Sequence, residues 1–241
     1  HRRKDGTTFP VEVDVVSVDR GDSQYILGIA RDITERKNAE GRVTDTLTKL
    51  KRSLDGIIQA MAAVVEMRDP YTAGHQRRVA DLAVGIGREM GLHEDRLEGL
   101  RVSGLLHDLG KIAVPAEILS KPGRLSNVEF DVIRGHPEAG HAILAQIDFP
   151  WPVAEVTLQH HEAMNGSGYP AGLRGDEILL ESRILAVADV VEAMASHRPY
   201  RPALGIEAAL AEVLRERGKR FDPDVADACL RLISEKGFVF H

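Results

Sequence analysis

Only one cysteine, Cys229, stands in a chain of 241 residues. No disulfide can form within the chain, thiolate ligation of a metal is disfavoured, and a reducing cytoplasmic setting is expected. Long apolar runs are missing as well: none approaches the roughly 18 residues that a membrane-spanning helix needs. The sequence shows no signal peptide, no internal repeat and no low-complexity tract. Nor is there an excess of positive charge. With a net charge of −6 and a pI near 5.9, the chain is not expected to offer a broad surface to a nucleic-acid polymer, although a small basic pocket remains compatible with it. The chain opens HRRKDGTTFP without an initiating methionine. It is therefore expected to be a fragment, with any upstream sensor or membrane segment lying outside it. What is present, 43% hydrophobic and 28% charged residues, suits one large domain and a smaller piece.

Residues 1–35 read as strand and turn. Val11, Val13 and Val15 alternate with Glu12 and Asp14, the period of a half-buried strand, and Tyr25–Ala30 forms a second one. Gly6 and Gly21-Asp22 mark turns. A helix follows, in which Val43, Leu47, Leu50, Leu54, Ile57, Met61 and Val64 are spaced 4, 3, 4, 3, 4, 3. This is a heptad seam, expected to pair with a second copy over its first half and to pack on the chain's own domain over its second. From about residue 56 nearly every segment is helical: AMAAVVEM, RRVADLAVGIGREMG, RLEGLRVSGLLHDLGKI, NVEFDVIRG, EAGHAILAQI, PVAEVTLQHH, SRILAVADVVEAMA, IEAALAEVLRERG and DPDVADACLRLISEKG. Ser126 with Glu129 marks a helix start, Gly91, Gly135 and Gly218 mark helix ends, and Pro122-Gly123 and Asn165–Pro170 mark loops.

Two adjacent pairs disturb this pattern. His107-Asp108 lies in the apolar run SGLLHDLGKIAV, and His160-His161 in TLQHHEAMNGSGYP. Imidazole and carboxylate inside an apolar stretch are costly unless paired or metal-bound. With His75, His136 and Asp189 they supply nitrogen and oxygen donors from separate helices or their ends, as metal sites in helical bundles do. Each such histidine taken alone is more often a satisfied core residue; the set of seven is what points to a metal centre. Of ten histidines, His1, His93, His141, His197 and His241 have no such companions.

Two resemblances follow from these motifs. KDGTTFPVEVDV…YILGIARDITERKNAE resembles the C-terminal strands of a PAS/PAC sensor domain, ending in its Asp32-Ile33-Thr34 exit motif; the other reading is a stray hairpin. DPYTAGHQRRV (69–79), LLHDLGKIAVPAEILSKPGRL (105–125), GHPEAGHAIL (135–144), HHEAMNGSGYPAGLRGDEI (160–178), RILAVADVVEAMASHRPYR (183–201) and GKRFDPDVADACL (218–230) strongly resemble the HD-GYP family of phosphohydrolases, in order and spacing, over about residues 56–235. The fold implied is mainly α: an HD-type helical bundle at 56–241 around a dinuclear metal site, a partial PAS fragment at 1–35 and a connecting signalling helix at 36–55. The activity implied is hydrolysis of cyclic di-GMP to pGpG, and in some members on to GMP, under control of an upstream sensor. Carried over by motif, one metal would be held by His75, His107, Asp108 and Asp189, the other by Asp108, His136, His160 and His161, with Asp108 bridging. Two ions of iron or manganese suit such donors, and zinc or nickel would also load.

The resemblance gives further residues their expected roles. Lys111 would stabilise the growing phosphate charge, the alternative being a surface ion pair. Asp69 would assist proton transfer to the leaving oxygen, or merely cap a turn beside Pro70. Arg198 and Arg201 would contact phosphates, or form a structural salt bridge. Tyr169 of the Gly168-Tyr169-Pro170 loop is expected near the mouth of the site, in contact with substrate, and Glu162 either orients a ligand or is an exposed helix-end acid. Two departures matter. Tyr71 stands where some members carry a glutamate for a third metal, which implies two metals and pGpG as the main product. Asn165 replaces the usual aspartate of the loop. The competing readings are a catalytically silent module that docks a diguanylate cyclase or another signalling partner through the GYP loop, and an enzyme with a different substrate, a hybrid cyclic GMP-AMP or a nucleotide monoester.

Overall fold

The computed structural model describes residues 1–21, 23–68, 74–121, 123–196 and 204–240. It divides into two compact units, His1–Gly56 and Ile57–His241. In the first, β1 (Val11–Arg20) and β2 (Ser23–Asp32) pair antiparallel, from Val11 opposite Asp32 to Arg20 opposite Ser23. The Asp32-Ile33-Thr34 motif has a physical role at the exit: the Asp32 carboxylate accepts the backbone N–H of Thr34 at 2.9 Å and its hydroxyl at 2.5 Å. It thereby starts helix α1 (Thr34–Arg68). Val13, Val15, Val16 and Val18 of β1 and Tyr25, Ile26, Leu27 and Ile29 of β2 are all exposed, on both faces of the hairpin.

Along α1 the heptad seam remains largely uncovered. Val43, Leu47, Leu50, Leu54 and Ile57 are 52–60% exposed. The expected packing of the seam's second half is corrected by the structure. Ile57 and Val64 stay exposed, while Ile58, Met61, Ala62 and Val65 turn inward. That set follows the i, i+3, i+4, i+7 face of a straight α-helix, so only Met61 belongs to both stripes. No helix among the described residues is long and apolar enough to cross a membrane.

The second unit is helical. It holds the end of α1, then α2 (His75–Glu89), α3 (Glu94–Leu106), α4 (Ala116–Leu119), α5 (Asn127–Arg134), α6 (His136–Leu144), α7 (Val153–Gln159), α8 (Leu180–Ala195), α9 (Ile206–Glu216) and α10 (Pro223–Ser234). The starts and stops follow local chemistry. Ser126 and Glu129 close a reciprocal capping box on α5, and Gly91 and Gly218 leave α2 and α9 with positive φ. The segment RLEGLRVSGLLHDLGKI is not one helix as its periodicity predicts. α3 ends at Leu106, and a 3₁₀ turn, Leu109–Ala113, continues after His107-Asp108.

Two apolar clusters hold these helices. One joins α2, α8, α9 and α10 through Leu82, Ile86, Ile184, Leu185, Val213 and Val225. The other joins the end of α1 to α3, α6 and α7 through Val65, Leu106, Leu109, Leu144 and Val153. Each such side chain contributes roughly 1.5–3 kcal/mol on burial, far more than any exposed ion pair. These clusters therefore fix where the helix ends fall, and the ends carry the polar residues.

Candidate metal centre

Four of the five helices concerned deliver their polar residues at a terminus. His75 opens α2 and His136 opens α6; His107-Asp108 follows α3, and His160-His161 follows α7. Asp189 comes from the middle of α8. His75, His107, Asp108, His136 and His160 are almost fully buried.

The backbone sets the orientation of the rings. The Nδ1 atoms of His107, His136 and His160 lie 2.7, 2.7 and 2.6 Å from the carbonyl oxygens of Gly104, Ile133 and Thr157, each three residues earlier. A carbonyl only accepts, so each Nδ1 carries the proton and each Nε2 presents a lone pair. Those Nε2 atoms converge. His136 Nε2 and His160 Nε2 are 3.2 Å apart, and His107 Nε2 is buried with no hydrogen-bond partner. Lone pairs facing each other at that distance, beside a buried acceptor without a donor, fit a site that holds cations. Donor atoms lie within 4.8 Å of one another in the groups His75, His107, Asp189 and His136, His160, His161, and also in His107, Asp108, His160. The Asp108 carboxylate faces both sides: Oδ2 is 3.8 Å from His75 Nε2 and 3.4 Å from His107 Nε2, and Oδ1 is 3.3 Å from His136 Nε2. His75 Nε2 is also 3.3 Å from Asp189 Oδ1.

The electrostatics divide accordingly. Burial, reinforced by neighbouring imidazoles, pushes the His160 pKa well below the usual histidine value, and burial takes His161 down to about 3, so both present neutral rings. Burial opposes a charge on His75 too, but hydrogen bonds to Asp189 and Glu192 outweigh it and raise the pKa to about 9. Burial likewise opposes ionisation of Asp108, yet Lys111 and the surrounding imidazoles hold it well below the usual carboxylate range. The corner around His75 is built to hold positive charge. Lys111, on the 3₁₀ turn, places Nζ 2.7 Å from Asp108 Oδ2. Spacing by three residues brings side chains into line in a 3₁₀ turn, so the tighter winding favours this contact.

Glu192 was not among the candidates from the sequence. One turn after Asp189 on α8, it is buried, accepts the Nδ1–H of His75, and is itself held by Arg78 Nε at 2.7 Å and the Ser196 hydroxyl at 2.6 Å. Its signal was the i, i+3 spacing from Asp189 on a mostly apolar helix face. The reading of Glu162 as an exposed helix-end acid is corrected: it is buried, and its carboxylate hydrogen bonds among the described residues go to a loop backbone. Its buried carboxylate accepts the backbone N–H groups of Ala171, Gly172 and Leu173 at 2.7, 3.1 and 3.0 Å, and so clamps the loop carrying Gly168-Tyr169-Pro170. A Cβ on Gly168 would lie 2.4 Å from Glu162 Cα and 2.5 Å from the His161 carbonyl oxygen, so only glycine lets the loop fold this closely over the paired histidines. Asn165 forms the turn expected of an aspartate there, accepting from Ser167 N–H at 3.0 Å and its hydroxyl at 2.7 Å. Tyr169 stacks on His161 with ring centroids 4.8 Å apart. Asp69, Tyr71, Arg198 and Arg201 lie outside the described residues.

The family model described as HD domain matches residues 59–225. The cyclic di-GMP phosphodiesterase response regulator RpfG of Xanthomonas campestris pv. campestris is 39% identical over 194 residues, 80% of this chain and 51% of that protein. A cyclic di-GMP phosphodiesterase of Thermotoga maritima is 37% identical over 198 residues, 81% of this chain and 54% of that protein. The chain thus spans about half the length of these relatives. Among solved structures, a cyclic GMP-AMP specific phosphodiesterase of Vibrio cholerae superposes with a TM-score of 0.50 at 32% identity, covering 76% of this chain and 41% of that one.

One close contact makes the geometry testable. A Cβ on Gly110 would lie 1.8 Å from the His136 carbonyl oxygen and 2.5 Å from Gly140 N. Gly110→Ala must therefore push α6 and His136 away from Asp108. A stability loss of about 1–3 kcal/mol is expected in chemical denaturation, with fewer metal ions bound per chain by elemental analysis; full metal content at unchanged stability would show that the contact does not position His136.

Proposed function

The chain belongs to the HD domain family, of the HD-GYP type, and from that premise we propose that it hydrolyses a phosphodiester bond of a cyclic dinucleotide, cyclic di-GMP first among them, to linear pGpG. The observation that carries this reading is the convergence of five imidazoles and two carboxylates on one buried centre, with the two oxygens of Asp108 turned to opposite histidine groups. His75, His107, Asp108 and Asp189 would hold one divalent ion, and Asp108, His136, His160 and His161 the other. When bound, such a pair supplies Lewis acidity toward a phosphoryl oxygen and activates water. Nitrogen and oxygen donors without sulfur suit iron or manganese. Tyr71 offers no carboxylate at the position where some relatives of this type carry glutamate, which favours two ions and pGpG as the end product.

The chain's own residues supply the remainder. Three backbone carbonyls lock the imidazoles in the tautomer that donates Nε2, and Glu192 does the same for His75. Lys111 is placed to offset negative charge gathering on the phosphate. Asp69, Arg198 and Arg201 keep their proposed roles in proton transfer and phosphate contact, and Tyr169, fixed against His161, is proposed to line the substrate's path. The complete donor set speaks against a silent docking module.

We also propose that the exposed seam from Val43 to Ile57 pairs with a second copy, and that the hairpin belongs to a PAS sensor fold that acts on the enzyme through α1. The uncovered aliphatic residues on both elements support this.

With iron or manganese loaded anaerobically, the chain is expected to convert cyclic di-GMP to pGpG and to lose the activity on chelation. Lys111→Ala is expected to lower kcat by about 100-fold or more at unchanged metal content. Bound metal without turnover of any cyclic dinucleotide would overturn the assignment. Replacing Leu47 and Leu50 by Asp is expected to halve the mass in light scattering; an unaltered mass would remove the dimer.

A further inference from the structure

A cavity of about 270 Å³ opens beside the metal centre. Its wall includes His160, His161 and Asp189 on the inner side and Tyr169, Arg134 and Arg220 further out. Lys111 does not line it. The two arginines come from different places. Arg134 is the last residue of α5, two positions before His136. Arg220 lies in the turn between α9 and α10, whose backbone carbonyl accepts the Met164 N–H at 3.0 Å, so this turn is tied to the start of the loop that carries Tyr169.

Arg134 is held in a stack. Its guanidinium carbon is 4.8 Å from the centroid of Phe130 and 5.3 Å from that of Tyr169, and Tyr169 in turn lies on His161. Stacking of this kind restrains the guanidinium plane while leaving its N–H edge free to bind an anion in a fork. An ion pair with Asp131 at 3.6 Å is half exposed and of the kind that contributes little. The cavity is smaller than the roughly 300–1,000 Å³ of sites that enclose a whole small molecule. A cyclic dinucleotide with one phosphodiester at the metal centre therefore leaves its other half at the outer rim, where these cations are.

We propose that Arg134 and Arg220 bind the half of the substrate that is not being cut, contacting its second phosphodiester, and so select a cyclic dinucleotide over a simple phosphodiester. The proposal rests on the reading of the centre as a phosphodiesterase. It assigns the arginines to substrate binding and leaves the bond-breaking step to the centre itself.

The test uses manganese-loaded chain, two substrates and the variants Arg134→Gln, Arg220→Gln and Arg134→Lys. Cyclic di-GMP carries two phosphodiesters; bis(p-nitrophenyl) phosphate carries one and has no second half. Each Gln variant is expected to raise KM for cyclic di-GMP about tenfold or more, as loss of a charge-assisted hydrogen bond does. The value of kcat should stay within about twofold, with turnover of bis(p-nitrophenyl) phosphate and metal content unchanged. Arg134→Lys should recover only part of the loss, because it keeps the charge without the planar fork. An equal fall on both substrates, or unchanged KM for cyclic di-GMP, would overturn the proposal. If the wild-type chain binds cyclic di-GMP without cleaving it, the phosphodiesterase reading fails, and the arginine assignment stands or falls on the same tenfold change in Kd. If it cleaves bis(p-nitrophenyl) phosphate but neither binds nor cleaves a cyclic dinucleotide, both fail.

Discussion

The centre depends on one constraint: at three helix ends a backbone carbonyl accepts a hydrogen bond from the Nδ1–H of a histidine three residues later. His107 on Gly104, His136 on Ile133 and His160 on Thr157 obey the same local geometry. Each bond fixes a tautomer and a ring direction without help from another side chain. The result is a buried concentration of Nε2 lone pairs, which is electrostatically unfavourable unless positive charge sits among them. Asp108 and Asp189, held ionised against their own burial, add negative charge to the same cluster and deepen that demand. Apolar packing provides the energy to hold such a cluster in place. Leu106 and Leu109 flank the His107-Asp108 pair in one core, while Leu82 on α2 and Leu185 on α8 anchor the other.

Close backbone approach is the second requirement. Gly110 lets the 3₁₀ turn touch the first residue of α6, and Gly168 lets the GYP loop lie against His161 and Glu162. The loop is therefore part of the centre's wall. Glu162 secures it by gathering three backbone N–H groups, and Tyr169 extends the histidine stack outward to Arg134. Imidazoles, loop and rim cations line one cavity, from the buried histidines to the solvent-exposed guanidinium groups.

Much of this was legible in the sequence, and the parts that were not have physical reasons. Amphipathic periodicity located the longer helices of the second unit, because burial of one face dominates their energetics, but not the four-residue α4, which buries no residue. The paired polar residues in apolar runs marked the site, because such groups are rarely tolerated without partners. Periodicity could not show that α3 stops at Leu106, since the 3₁₀ turn keeps Leu109 buried and preserves the apolar pattern. It also merged two stripes on α1, whose heptad residues and inward-facing residues differ by one position at Ile57 and Ile58. Glu192, and the true partners of Glu162, escaped for another reason: a single glutamate is ordinary on a helix, and only the tertiary structure shows which backbone or imidazole it meets. Arg134 and Arg220 are distant in sequence, and only the fold brings both to the wall of one cavity.

The central proposal is that two ions would share Asp108 and would otherwise be held by Asp189 and by imidazole Nε2 atoms, three of them with a direction that the backbone sets. The most direct measurement is anomalous diffraction from crystals of the manganese- or iron-loaded chain, collected at the metal's absorption edge. The account expects two peaks on either side of the Asp108 carboxylate, each within bonding distance of its imidazole Nε2 atoms, with the Nδ1 contacts to Gly104, Ile133 and Thr157 retained. A single peak, or rings turned to ligate through Nδ1, would contradict it.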